Sequence, residues 1–248
     1  MKILKGANYD EVSKIVADII TNEIKKNPEA VLGLATGSTP IGTYEELVKR
    51  YNAGEIDFSK IQTVNLDEYK GLSPENDQSY RYFMNHHLFE HINIPIENTH
   101  VPDGLETDSD KACKDYEACL ESIGAPDIQI LGLGLNGHIG FNEPSDVFTK
   151  DTHCVDLTQS TIEANARFFE SMDAVPKQAY TMGIGSIMRA KKIVLIVTGE
   201  KKREILNLVL NGDVKPEVPA TILQMHSNVV VVADNDALGT FRELADIA

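Results

Sequence analysis

Five short runs, each the length of a buried strand, recur along this chain: Ala30 to Ala35, Ile61 to Leu66, Ile128 to Leu133, Ile193 to Val197 and Val229 to Ala233, apolar but for Gln62, Thr63 and Asn65 in the second and Gln129 in the third. A strand buried on both faces reads as a continuous apolar run, whereas a helix repeats its apolar residues every three to four positions. The helical pattern fills 8–26, where Val12, Ile15, Val16, Ile19 and Ile20 share one face and Pro28 follows the end. It returns at 40–51, 78–91, 108–122, 160–171 and 200–211. This alternation predicts βαβ units and an α/β fold, with a mostly parallel sheet and helices on both faces. The 248 residues suffice to bury a core on each face, and no repeat or Pro/Gly-rich linker divides them. One domain over 1–248 is expected.

Charge narrows the partners. With 23 basic against 38 acidic residues the formal charge is -15, which argues against nucleic acid or an acidic membrane surface. A small anion is still bound where a few donors and cations converge. Cys113, Cys119 and Cys154 form an odd set with no C-x-x-C pair, which fits a reducing compartment. The start, Met1 to Asn8, has no apolar signal core, and the longest apolar runs are too short to span a bilayer. A soluble, cytoplasmic protein is expected.

Open parallel sheets bind ligands beyond the carboxyl ends of their strands, so the residues after each run carry the functional argument. Thr36-Gly37-Ser38-Thr39-Pro40 follows the first run and places a glycine, hydroxyls and free amides at a helix N-terminus, where a phosphate or carboxylate is favoured. The same residues also suit plain N-capping by Ser38 or Thr39, with Pro40 at the first helical position. The spacing of a P-loop is absent. Asn65-Leu66-Asp67-Glu68-Tyr69 follows the second run, and Asp67 there suits either turn capping or service as a carbon-acid base.

Gly132-Leu133-Gly134-Leu135-Asn136-Gly137 matches G-x-G-x-x-G, with Asp156 at the distance of a ribose contact. A dinucleotide site needs that motif to open a helix. Here it runs into His138-Ile139-Gly140-Phe141-Asn142-Glu143-Pro144, whose Gly and Pro oppose one, so no nucleotide cofactor is expected. The loop instead offers a histidine with an amide two residues before it and a carboxylate five after it. A carboxylate near an imidazole fixes its tautomer and raises its basicity. His87-Leu88-Phe89-Glu90-His91 matches the H-x-x-E-H zinc pattern, but two helical ligands need a third that the sequence does not supply. It reads as scaffold helix, and no metal is expected. Arg167 and Lys202 read as surface cations unless the fold carries them to the phosphate cradle.

Taken together, Leu34 to Pro40, Asn65 to Tyr69, Gly132 to Pro144 and Asn165-x-Arg167-Phe168-Phe169 resemble the glucosamine-6-phosphate deaminases, in order and over nearly the whole chain. His138-Ile139-x-Phe141-Asn142-Glu143-Pro144 is the specific part, whereas T-G-S-T-P is shared with other sugar-phosphate enzymes of the superfamily. The resemblance implies a modified Rossmann-like fold, no metal or organic cofactor, and an amino-sugar phosphate as the small-molecule partner. The implied reaction turns glucosamine 6-phosphate plus water into fructose 6-phosphate and ammonia. By position Asp67 matches the proton-transfer base, His138 the ring-opening residue, and Glu143 and residue 136 the groups that support that histidine. Gly37, Ser38 and Thr39 with Arg167 and Lys202 match the phosphate grip.

Many members carry aspartate where this chain has Asn136. An amide holds no negative charge, so Glu143 is expected to be the main anionic partner of His138. The chain ends at Asp246-Ile247-Ala248, short of the C-terminal extension that helps allosteric hexamers of the family build an effector site. That regulation and assembly are not carried over, and monomer and homo-oligomer both stay open. The alternative within enzymes is a 6-phosphogluconolactonase, which shares a similar cradle and G-x-G-x-x-G-H segment, although the residues after His138 resemble the deaminase. A sugar-phosphate sensor that binds DNA would need a helix-turn-helix, and the first 30 residues offer one helix and no basic surface.

Overall fold

Every apolar run of the sequence becomes a strand of one seven-stranded sheet, and every neighbouring pair in that sheet is parallel. This computed structural model describes residues 1–158, 162, 171 and 175–239. Its first strands are β1 (Lys2–Gly6), β2 (Val31–Leu34), β3 (Gln62–Asn65), β4 (Asp67–Tyr69) and β5 (Thr99–His100). Then come β6 (Ile128–Gly132), β7 (His153–Asp156), β8 (Gln178–Thr181), β9 (Ile193–Val197) and β10 (Val229–Asp234). The large sheet runs β1-β10-β9-β6-β2-β3-β5. Strands β2, β9 and β10 are buried along their whole length. Each fully buried Val, Leu or Ile contributes about 1.5–3 kcal/mol, so an unbroken run of them fixes a strand between two helical layers.

Helix α1 (Tyr9–Lys26) begins where the Asn8 side chain accepts the Glu11 amide, and it buries Val12, Val16, Ile20 and Ile24, one residue per turn. It packs beside α2 (Ile41–Asn52). Helix α4 (Ser109–Ile123) starts at Asp108, whose carboxylate accepts the amides of Asp110 and Lys111. The helix expected at 78–91 is shorter: α3 (Tyr80–His87) stops at Leu88, which leaves helical geometry at φ −143° and ψ −60°, and Phe89–His91 form one 3-10 turn. The helix expected over 160–171 falls almost wholly outside the described residues.

The sequence reading missed a second sheet. Strands β4, β8 and β7 pair antiparallel, with Asp67 opposite Thr181 and Glu68 opposite Tyr180. Leu66 is the crossing point, since its amide donates to the Leu34 carbonyl of the large sheet and its carbonyl accepts the Met182 amide beside the small one. Asp67 therefore opens a strand instead of capping a turn. Chain order along the large sheet reverses between β2 and β6: from β2 the chain moves outward through β3 and β5, and from β6 outward through β9 and β10. Connections that leave in opposite directions open a crevice at the strand ends.

Candidate active site

Two loops leave the carboxyl ends at that reversal, 35–40 after β2 and 133–144 after β6. The first turns at Gly37, whose φ of 86° lies in the left-handed region that side-chain-bearing residues avoid. Tyr9 holds it from α1: its hydroxyl donates to the Ser38 carbonyl (2.9 Å) and accepts the Gly42 amide (2.8 Å), tying the loop to the first turn of α2. Helix α2 has no side-chain cap, so Ser38 and Thr39 are not spent on capping, and Gly37 and Ser38 are exposed. Thr39 lies against β6, with its Oγ1 3.6 Å from where a Cβ on Gly132 would stand. Lys202 ends the 3-10 turn Glu200–Lys202 after β9 and donates from Nζ to the Leu133 carbonyl (2.5 Å). Burial holds its pKa below the usual lysine range. Thr39 and Lys202 thus meet at adjacent residues, and an ammonium with three donors keeps two for an anion after this bond.

The second loop forms turns after Gly134 and no helix. His138 packs its ring over Gly134, where any Cβ would come within 2.5 Å of it. Asn136 Nδ2 donates to Glu143 Oε2 (2.6 Å), and Asn136 Oδ1 accepts the His138 amide (3.2 Å). Glu143 Oε1 stands 3.4 Å from His138 Nδ1, at ion-pair distance but without hydrogen-bond alignment. The Asn136 amide has one workable orientation, because the reverse sets its oxygen against a carboxylate and its N–H₂ against an N–H. The amide thus acts as a clasp between the two supports of the imidazole. An Asn136→Asp variant would bring two carboxylates to 2.6 Å, a distance at which they must share a proton. That proton is held more tightly in the folded state, so the variant should match the parent only near pH 4 and below, where an ordinary carboxylate is itself protonating. It should lose about 1–3 kcal/mol of stability by pH 9, read by urea denaturation at both pH values.

Asp67 lies beside this loop, with Oδ2 3.4 Å from where a Cβ on Gly140 would stand, and it is 6% exposed. Burial first, and the neighbouring Glu68 carboxylate second, push its pKa up to about 8, against a Phe141 N–H that favours the charge. The Phe141 amide also donates to Thr181 Oγ1 (3.1 Å), across from Asp67 on β8. Tyr69, Tyr80 and Phe141 cluster beside the acid with ring centroids 4.8 to 6.0 Å apart. One acid and the His138–Glu143 pair therefore sit around the same loop, in surroundings that disfavour a free carboxylate.

Of the remaining sequence-derived residues, Arg167 lies outside the described residues. His87 and His91 do not stand on successive turns of one helix, and His91 Nε2 lies 2.8 Å from the His86 carbonyl. Among the described residues, no three His, Cys, Asp or Glu side chains are grouped to hold a metal ion. No helix among them is long and apolar enough to cross a membrane. Tyr9, Thr181 and Glu68 shape the site, yet spacing and motif gave no signal for the roles of Tyr9 and Thr181. Glu68 was visible only as the neighbour of Asp67.

Comparison with known proteins places this geometry. The family model described as glucosamine-6-phosphate isomerases/6-phosphogluconolactonase matches residues 5–232. A glucosamine-6-phosphate deaminase of Clostridium perfringens is 54% identical over 237 residues, 96% of this chain and 98% of its own. That of Lachnoclostridium phytofermentans is 55% identical over 232 residues, 94% and 98% of the two chains. A solved monomeric glucosamine-6-phosphate deaminase of the NagB superfamily has a TM-score of 0.93 and 45% identity, covering 96% of this chain and 98% of that one. A 6-phosphogluconolactonase of Thermotoga maritima, at 21% identity and a TM-score of 0.76 over 94% and 99% of the chains, shares the fold. With a family model spanning nearly its whole length and relatives above half identity, the chain belongs to the glucosamine-6-phosphate isomerase/6-phosphogluconolactonase family.

Proposed function

We propose that this chain is a glucosamine-6-phosphate deaminase, one catalytic unit over 1–248 that needs no metal or organic cofactor. Asp67 carries the reading. A buried carboxylate with a pKa near 8 is a strong base for its type, suited to a carbon acid, whereas hydrolysis of a lactone moves no carbon-bound proton. The identity to proteins named as deaminases supports the same choice.

In this reading the phosphate sits at Gly37, Ser38 and Thr39, gripped by Lys202 and by Arg167. Contacts remote from the reacting carbons then orient them. His138, supported by Glu143 and the Asn136 clasp, takes the proton of the anomeric hydroxyl and returns one to the ring oxygen, which opens the sugar. Asp67 next removes the proton at C2 and delivers one to C1 through an enolamine. Protonation at C1 leaves an iminium at C2. Water adds there, ammonia leaves, and the carbonyl of fructose 6-phosphate remains.

Lys202→Ala should weaken substrate binding by about 1.5–3 kcal/mol, the size of a charge-assisted hydrogen bond, and raise KM more than it lowers kcat. Unchanged KM in steady-state kinetics would put the phosphate elsewhere. The reading as a whole is tested by offering the chelator-treated protein glucosamine 6-phosphate and 6-phosphogluconolactone in parallel. Ammonia from the first and no accelerated hydrolysis of the second is the expected result. The reverse pattern would make the chain a lactonase.

A further inference from the structure

Side chains alternate along a strand, so Glu68 points away from Asp67 and its site, into the body of the protein. It is 2% exposed and accepts three backbone amides: Tyr69 (2.8 Å) and Tyr80 (2.9 Å) on Oε1, and Arg81 (2.9 Å) on Oε2. Tyr80 and Arg81 are the first two residues of α3, and Ser79 caps the third amide, that of Tyr82. The carboxylate of β4 therefore supplies what the helix start lacks, and the positive end of α3 with its amides favours the ionised acid. We propose that Glu68 is a positioning residue for Asp67: it locks β4 to the start of α3 and sets a second carboxyl behind the base.

The inference rests on the deaminase reading of Asp67 and adds how that residue is kept basic. Other groups face the pair from every side. Tyr69 lies on β4 itself, and Tyr80 and Arg81 come from α3. Tyr116 comes from α4, its hydroxyl donating to the Asn65 carbonyl (2.5 Å). Thr181 and Tyr180 stand opposite on β8, with His153 beyond Thr181 on β7. The loop around Gly104 packs on Glu68 Cγ, but its acids are engaged elsewhere, Asp103 with the Leu105 amide and Glu106 with Lys111. Burial pushes the Glu68 carboxyl up to about 7, held from rising further by the amides of Tyr80, Arg81 and Tyr69 and by the Arg81 guanidinium, so Glu68 ionises below Asp67. A second negative charge on Asp67, one residue away in a buried setting, is then resisted, and Asp67 keeps its affinity for a proton.

Glu68→Gln keeps the shape and removes the charge, while Glu68→Asp keeps the charge and shortens the reach to α3. The acid limb of kcat against pH should move down by about 1 to 2 pH units in the Glu68→Gln protein, as expected for loss of a neighbouring like charge. In the Glu68→Asp protein the limb should stay in place while kcat falls. An acid limb unmoved in a folded Glu68→Gln protein would overturn the proposal. Carboxyl ¹³C titration of the unmutated protein needs no variant and no turnover: Glu68 should ionise first and Asp67 above pH 7. An Asp67 that titrates with ordinary carboxylates would overturn the proposal even if the Glu68→Gln protein fails to fold. Failure of the parent to release ammonia would instead sink the deaminase reading and leave this titration readable.

Discussion

Asp67→Asn should lower kcat for ammonia release by about 10²–10⁴-fold, the usual worth of a positioned acid-base group, with KM nearly unchanged. The amide fills the same space and still offers an oxygen to the Phe141 N–H, so binding survives while the base is gone. The same change should stabilise the fold at high pH. The carboxyl of Asp67 has its pKa raised from 3.8 to about 8 by burial and by Glu68, so the folded state holds a proton that the unfolded chain releases. Stability from this group is fully present below pH 4 and is lost as pH rises through 8. Asparagine does not titrate. The variant should therefore match the parent near pH 4 and exceed it by about 1–3 kcal/mol at pH 9 in urea denaturation. A variant less stable than the parent at pH 9 would mean that the carboxylate is solvated or paired in the fold.

His138→Gln should cost a comparable factor for a different reason. Without the residue that moves the anomeric proton, turnover depends on the small open-chain fraction of sugar in solution. The residual rate should then stop rising with enzyme concentration once spontaneous ring opening limits the supply. A rate that stays proportional to enzyme would place the effect of His138 after ring opening. Glu143→Gln should fall in the same direction by a smaller factor, since it leaves the imidazole in place but removes the anion 3.4 Å from Nδ1.

Strands β2, β9 and β10 were legible because packing on both faces fills them with apolar residues, whereas β3 and β6 bury Thr63, Asn65 and Gln129 among theirs. Ile193–Val197 is read residue for residue, and Val229–Asp234 extends one past its run. Strand β4 was illegible for the opposite reason. It is three residues long, two of them acids, and it exists because Leu66 carries the chain from one sheet to the other and Thr181 arrives from far along the sequence to pair with Asp67. Helix α3 was overdrawn because His87 to His91 keep helical spacing, although Leu88 breaks the backbone. Within the site, Asn136, His138 and Glu143 share one loop, so their spacing carries their relation. Tyr9 and Thr181 act across the fold, where no spacing reports them. The reversal of strand order between β2 and β6 likewise belongs to the sheet alone.

Hydrogen exchange at C2 reports on Asp67 before any later step intervenes. Glucosamine 6-phosphate recovered from the parent protein in deuterium oxide should carry deuterium at C2, while the Asp67→Asn protein, shown to bind the sugar, should leave C2 at the rate of sugar alone. Deuterium entering C2 at the parental rate in the Asp67→Asn protein would remove Asp67 as the base.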